Sequence, residues 1–270
     1  MKVESLKKPE LIEYCESLGI QTKEKINGRQ KTRSANDLIQ AVYKYRREEI
    51  DVARENGTCL QLLEKQIEAI ADKYAANLDE KISTRKIEMK QDDNSHYLIY
   101  RVLGVSQEDG QLIDIYQNTG RFLYKYAGSF LEEVASLCLF YANSEGGRKL
   151  VDNNLGEKPK TFEIDFLNGN DAIEIKWRDA TTDGDHITKE HTRVKVIESY
   201  GYKPIRVMFY YPQRAQSIRI QNTLKTIYTG VGGEYHAGDD AWSYIKEVSG
   251  YDLKSILMKI AEKRDQKELV

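Results

Sequence analysis

TFEIDFLNGNDAIEIK, residues Thr161 to Lys176, is the stretch that decides how this chain is read. Two short runs rich in β-branched and aromatic residues flank Asn168-Gly169, a strong hairpin signal because glycine accepts the positive φ of a tight turn. Side chains in a strand alternate faces, so Glu174 and Lys176 share a side, and so do Glu163, Asp165 and Leu167. With Asn168-Gly169 as a two-residue turn, Leu167 pairs with Asn170 and Asp165 lies opposite Ala172. Asp165, Glu174 and Lys176 then gather on one face, and Phe162, Ile164, Phe166, Ile173 and Ile175 take the other. Carboxylates beside a lysine on one side of a hairpin are a metal-site arrangement. The alternative is a half-solvated hairpin whose charges sit on its wet face.

The 270 residues suffice for one main core with smaller attachments. No apolar run approaches the length of a membrane span, and the opening MKVESLKKPELIEY lacks the apolar core of a signal peptide. A soluble intracellular protein, with no membrane partner, is the expectation. Cys15, Cys59 and Cys138 are odd in number and have no CxxC spacing, which supports neither a disulfide framework nor a zinc knuckle. His96, His186, His191 and His236 form no HExxH pattern, so any metal would be an oxygen-liganded hard cation. The net charge of −2 says little, but its distribution says more. Lys23, Lys25, Arg29, Lys31, Arg33, Lys44, Arg46 and Arg47 form one basic zone. Lys189, Arg193, Lys195, Lys203, Arg206, Arg214, Arg219 and Lys225 form another, as a DNA-binding enzyme could arrange them.

Along the chain, Leu6, Leu11, Ile12, Cys15 and Leu18 recur at helical spacing and Gly19 supplies a stop. Ser34 can cap a second helix carrying Leu38, Ile39 and Val42, which leaves QTKEKINGRQKTRS as a cationic loop between the two. This module, residues 1–48, resembles SAP-type helix-extended-loop-helix units, which bind DNA. Residues 49–95 read as a linker, from Arg47 to Gly57, and a long amphipathic helix from Cys59 to about Glu88. HYLIYRVLGV and QLIDIYQ read as strands joined by a turn at SQEDG. From Asn118 to Tyr141 a helix places Leu123, Ala127, Phe130, Val134, Leu137, Cys138 and Tyr141 on one buried stripe. In that phase Glu132 falls opposite the stripe and Glu133 on its flank.

After the hairpin comes the polar stretch WRDATTDGDHITKEHTR. Counted from Asp179 it approaches a calcium loop, with Asp183, Gly184, Asp185 and Glu190 in place. Thr181 replaces a ligand, however, and a strand rather than a helix enters it, so a surface or groove-reading loop is preferred. A helix from Glu190 to Tyr200, with Val194, Ile197 and Tyr200 inward, leads to IRVMFYY, a strand apolar enough to be buried on both faces. The remainder reads as a helix Ala215 to Tyr228, a glycine-rich turn at GVGGEYHAG, and helices near Asp240 to Val248 and Leu253 to Arg264. Trp177 and Trp242 read as core anchors.

Asp165 with Glu174-Ile175-Lys176, and Glu133 on the preceding helix, resemble the signature of the PD-(D/E)xK nuclease superfamily, although Ile164 stands where many members have proline. RFLYKYAGSFLEE, EIKWRDATTDGDHITKEHTR and KPIRVMFYYPQR further resemble type II restriction endonucleases of the ApaLI type, over roughly Tyr97 to Ile245. The resemblance implies an α/β fold, a restriction-endonuclease-like mixed central sheet flanked by helices, for residues 96–270, with the small helical N-terminal module attached. It implies a bacterial intracellular enzyme that hydrolyses both strands of a palindromic double-stranded DNA site, as a homodimer, with Mg²⁺ as cofactor and 5′-phosphate ends. Asp165, Glu174, the carbonyl of Ile175 and Glu133 would hold metal, and Lys176 would orient or deprotonate the attacking water. Glu163 is a reserve ligand. Arg178, Asp183, His186, Lys189, Arg193 and Arg214 are the expected groove or backbone contacts, joined by Lys25, Arg29, Lys31 and Arg33 of the N-terminal module. The recognition site implied by the resemblance is GTGCAC. A structure-specific repair or junction nuclease and a non-catalytic DNA-binding protein are the alternatives on the same fold.

Overall fold

A computed structural model of the chain describes residues 3–26, 29–156, 158–178 and 184–268. The first helix, α1 (Lys8–Ser17), is followed by a small antiparallel hairpin, β1 (Lys23–Ile26) and β2 (Arg29–Thr32), and by α2 (Ala35–Glu55). Ser34 caps α2 as its position suggested, accepting the Asp37 N–H at 3.1 Å. The expected cationic loop is therefore largely a hairpin. The expected linker from Arg47 is the second half of α2, held helical because Ile50 and Ala53 are buried. The chain breaks only at Asn56-Gly57, before the long helix α3 (Cys59–Met89).

The two runs expected as strands are helical. They form α4 (Tyr97–Val102) and the start of the 36-residue α5 (Gln107–Ala142). Ser106 accepts the Asp109 N–H at 3.0 Å, so SQEDG is a helix cap and not a hairpin turn. Tyr97 and Tyr100, three apart on α4, close over Gly110, where a Cβ would stand 2.7 Å from the Tyr100 ring. The first half of α5 exposes Leu112, Ile113, Tyr116, Leu123 and Tyr124 at helical spacing, so Leu123 is not part of the buried stripe. From Leu131 onward, α5 turns Val134, Ala135, Cys138 and Leu139 into the core.

The remaining elements are β3 (Gly147–Asp152), β4 (Thr161–Asn168), β5 (Asp171–Arg178), α6 (Gly184–Ser199), β6 (Lys203–Tyr210), α7 (Ala215–Gly230), β7 (Glu234–Ala237), α8 (Asp239–Ser249) and α9 (Leu253–Glu268). The five strands stand in the order β3-β4-β5-β6-β7. The first two pairings are antiparallel and the last two parallel, which gives a mixed sheet. The interior strand β6 is buried from Pro204 to Phe209, as its apolarity required. Two strands have no counterpart in the sequence pattern: β3, and β7, which lies within the glycine-rich turn. On one face α5 and α8 pack on Phe166, Ile173, Ile175, Val207 and Phe209, and α9 joins the same core through Leu253, Ile256 and Ile260. On the other, Val196 and Ile197 of α6 pack on Phe162, Ile164 and Ala172. Trp177 and Trp242 lie half-buried against the first of these cores. Tyr200, expected inward, is exposed beyond the end of α6.

The hairpin turn is Gly169-Asn170, with Gly169 at φ +60° and Asn168 opposite Asp171. It lies one residue later than the expected Asn168-Gly169. The expected register would have set Phe166 opposite Asp171; the observed one pairs Phe166 with Ile173. Such an apolar cross-strand pair is worth about 0.2–1 kcal/mol, and the change also keeps a carboxylate out of the core.

Candidate active site

Against β3, Gly147 pairs with Leu167 but Lys149 pairs with Ile164, so Asp165 and Phe166 together oppose Arg148. The extra residue breaks the alternation along β4. Phe162 and Ile164 belong to the α6 layer, whereas Phe166 lies with Ile173 and Ile175 in the α5 layer. The single apolar face expected of the hairpin is thus divided between two layers, with Asp165 at the division. Bulges beside active sites re-aim side chains in this way.

Asp165, Glu174 and Lys176 do come together. The observed pairing differs from the expected one by two residues in total, which preserves side-chain parity. Lys176 Nζ lies 4.0 Å from Asp165 Oδ2 and contacts Glu174 Oε1. The β4–β5 ladder ends at Phe166 and Ile173, and beyond it the Ile175 N–H donates to Asp165 Oδ2 at 2.8 Å. A carboxylate oxygen takes the place of a main-chain acceptor and fixes the Asp165 side chain. From α6, Arg193 Nη1 donates to Glu174 Oε2 at 2.6 Å and to the Glu163 carbonyl at 2.8 Å. Arg193, expected on the DNA-facing surface, is built into the site, with 12% of its side chain exposed.

Burial, and then the neighbouring charge of Glu174, push the Asp165 carboxyl well above the usual range, against the pull of Lys176. Burial alone would raise Glu174 too, but Lys176 and Arg193 more than offset it and hold that carboxyl low. Burial draws the Lys176 ammonium down, while Glu174 and Asp165 hold it up, so it is protonated at neutral pH. One carboxylate is therefore neutralised by two cations, and a second shares the cleft with further acids.

Those acids are Glu132 and Glu163. Each offers an oxygen within 4.8 Å of the others and of Asp165. Glu132, rather than the expected Glu133, thus joins Asp165 from α5. Glu133 is buried and accepts the Tyr74 hydroxyl of α3 at 2.9 Å. Both glutamates, with Arg148, Glu163, Asp165, Glu174, Lys176 and Arg193, line a cleft of about 480 Å³. Arg148 contacts the Glu163 carboxylate. An all-oxygen donor set at the floor of an open cleft suits a hard divalent cation.

The expected DNA contacts are dispersed. The Arg178 guanidinium lies over the rings of Tyr124 and Trp177, at 5.1 and 5.3 Å. Lys189 and Arg214 are exposed. Asp183 and the side chain of His186 lie outside the described residues. So do Asp179 and Thr181 of the calcium-type count, whose twelfth position, Glu190, is bound to buried Arg206 and is not a loop ligand. On the N-terminal hairpin, Lys25 pairs with Gln30 on one face, while Arg29 and Lys31 share the other. Arg33 braces the hairpin to α2 through the carbonyls of Gln21 and Asp37, at 3.1 and 3.2 Å.

The family model for ApaLI-like restriction endonucleases matches residues 53–262. The chain belongs to that family. The match begins near the end of α2 and ends within α9, so every cleft residue named above lies inside it. Membership makes this restriction endonuclease a site-specific nuclease, with DNA as its partner. No curated protein and no solved structure matches the chain. Among the described residues no helix is long and apolar enough to cross a membrane.

Proposed function

We propose that the chain is a type II restriction endonuclease with a PD-(D/E)xK-type centre, hydrolysing both strands of a palindromic site and leaving 5′-phosphates. The observation that carries this reading is the convergence of Asp165, Glu174 and Lys176 in the acidic cleft. Asp165, Glu174 and the carbonyl of Ile175 would hold Mg²⁺, with Glu132 and Glu163 within reach and Glu133 behind them. When bound, that ion neutralises charge on the scissile phosphate and acidifies water. Lys176, charged and held by Glu174, directs its ammonium at the phosphate and the attacking water; its raised pKa favours orientation over proton abstraction. Arg178, Lys189 and Arg214 supply backbone or groove contacts in this reading. Incubation with long unmethylated DNA and Mg²⁺, followed by mapping of the ends, tests the reading. Discrete cuts, at GTGCAC if the resemblance extends to specificity, are expected. Structure-dependent nicks would favour a junction nuclease, and DNA retention without cleavage a binding protein.

The N-terminal module adds phosphate contacts in this reading. Replacing Arg29 and Lys31 together by alanine is expected to weaken DNA binding on all sequences alike. In salt titrations it should flatten the log–log slope by roughly 0.9 per lost contact. An unchanged slope would remove the module from the interface.

Cutting two strands calls for two copies of the site. The exposed stripe Leu112, Ile113, Tyr116, Leu123 and Tyr124 on α5 is the surface proposed to pair them. Tyr116→Asp is expected to convert a dimer into a monomer in size-exclusion chromatography with light scattering; a dimer that survives it excludes this stripe.

A further inference from the structure

Arg206 stands in the middle of β6, wholly buried and in register with Glu174 on β5. A guanidinium there must be paired. Its Nη1 donates to Glu190 Oε2 at 3.1 Å, and the Tyr228 hydroxyl of α7 donates to the same oxygen, also at 3.1 Å. The other oxygen, Glu190 Oε1, lies 3.2 Å from Arg193 Nε. Arg193 in turn reaches Glu174 and the Glu163 carbonyl through Nη1. Glu190, itself 2% exposed, therefore joins two strands and two helices to the carboxylate at the cleft floor.

We propose that Glu190 is a positioning residue of the nuclease centre. It holds the Nε edge of Arg193 by charge, through an ion pair and not a hydrogen bond, so that Nη1 keeps Glu174 in one orientation, ready for a divalent cation. This rests on the reading of Glu174 as a metal ligand. Fold stability alone gives little reason for such a chain, because well-packed apolar residues commonly replace a buried ion pair without loss. The chain does not close on itself, however. It ends on Glu174 and on the main chain of Glu163, two residues from Asp165, and so ties both carboxylate-bearing strands to one guanidinium. Partners of this kind behind metal ligands typically contribute 10–100-fold to ion affinity or activity.

The test uses the full chain and Ca²⁺ as the calorimetric probe. Glu190→Gln keeps the side-chain shape and removes the charge. It is expected to weaken Ca²⁺ binding by about 10-fold or more and to slow single-turnover cleavage with Mg²⁺ by about 10–100-fold. Its half-saturating DNA concentration should stay within about twofold of wild type, since DNA is not what Glu190 touches. Tyr228→Phe leaves the Glu190 charge and both arginines in place, so it guards against misfolding of the first variant. It is expected to shift ion affinity and rate in the same direction by a smaller factor. Wild-type ion affinity and rate in folded Glu190→Gln would overturn the proposal, and so would wild-type values in Tyr228→Phe if the first variant does not fold. Absence of Ca²⁺ binding by the wild-type chain would overturn the reading of Glu174 as a ligand, and this proposal with it.

Discussion

Lys176→Ala is expected to slow single-turnover cleavage by about 10²–10⁴-fold, the range for loss of a positioned acid–base or water-orienting group. Retention of DNA in a gel shift with Ca²⁺ should persist, because the contacts proposed to position the duplex lie elsewhere. The sign of the effect on metal affinity separates this residue from its neighbours. Lys176 places a positive charge against Glu174 and 4.0 Å from Asp165, where a divalent cation would also sit. Removing that charge relieves repulsion of the ion, so Lys176→Ala should bind Ca²⁺ at least as tightly as wild type. Glu174→Gln removes the proposed ligand and should bind it more weakly. A ligand and a lysine acting on water and phosphate therefore give opposite shifts in ion affinity with the same loss of cleavage. If both variants weaken Ca²⁺ binding alike, Lys176 is holding the site together and not acting on water or phosphate.

The convergence of Asp165, Glu174 and Lys176 was legible because a period of two and a tight turn determine faces even when the turn is placed one residue early. What the period could not show is the bulge at Asp165 and Phe166, since a bulge obeys the three-dimensional fit of β4 between β3 and β5 and leaves no residue-type signature here. Glu132 was misplaced for a related reason. The expected phase rests on a stripe that includes Leu123, but Leu123 is exposed and the buried apolar residues of α5 run from Leu131 onward, while α3 reaches Glu133 through Tyr74. In α4 and the first turns of α5 the sequence pattern points to strands, because Leu, Ile and Tyr fit both elements. The signal that decides between them, Ser106 followed three residues later by Asp109, matches the Ser34 and Asp37 pair at the start of α2, where the sequence pattern marks Ser34 as a cap. On charge alone Arg193 is indistinguishable from a surface cation. The clue to its true place is Arg206 inside IRVMFYY: a charge in a strand apolar enough to be buried demands a carboxylate, and Glu190, three residues before Arg193, supplies it.

Arg206→Met is expected to destabilise the fold by about 3–5 kcal/mol, the usual cost of removing one member of a buried ion pair. Thermal melting should show it as a fall on the order of 10 °C. Two effects oppose each other. Methionine relieves the desolvation of a wholly buried guanidinium, which favours the variant, but it leaves Glu190 buried with a charge that Arg193 must neutralise alone. The second effect wins, because Arg193 is already shared with Glu174 and because Tyr228 can donate only one hydrogen bond. Adding Glu190→Leu removes the stranded charge, so the double variant should recover much of the lost stability, with a coupling energy of about 0.5–3 kcal/mol. Cleavage should not recover with it, since Arg193 then has no anchor behind Glu174. Stability restored without activity would separate the two roles of the network. A double variant no more stable than Arg206→Met would mean that Arg206 acts through packing in β6 and not through its charge.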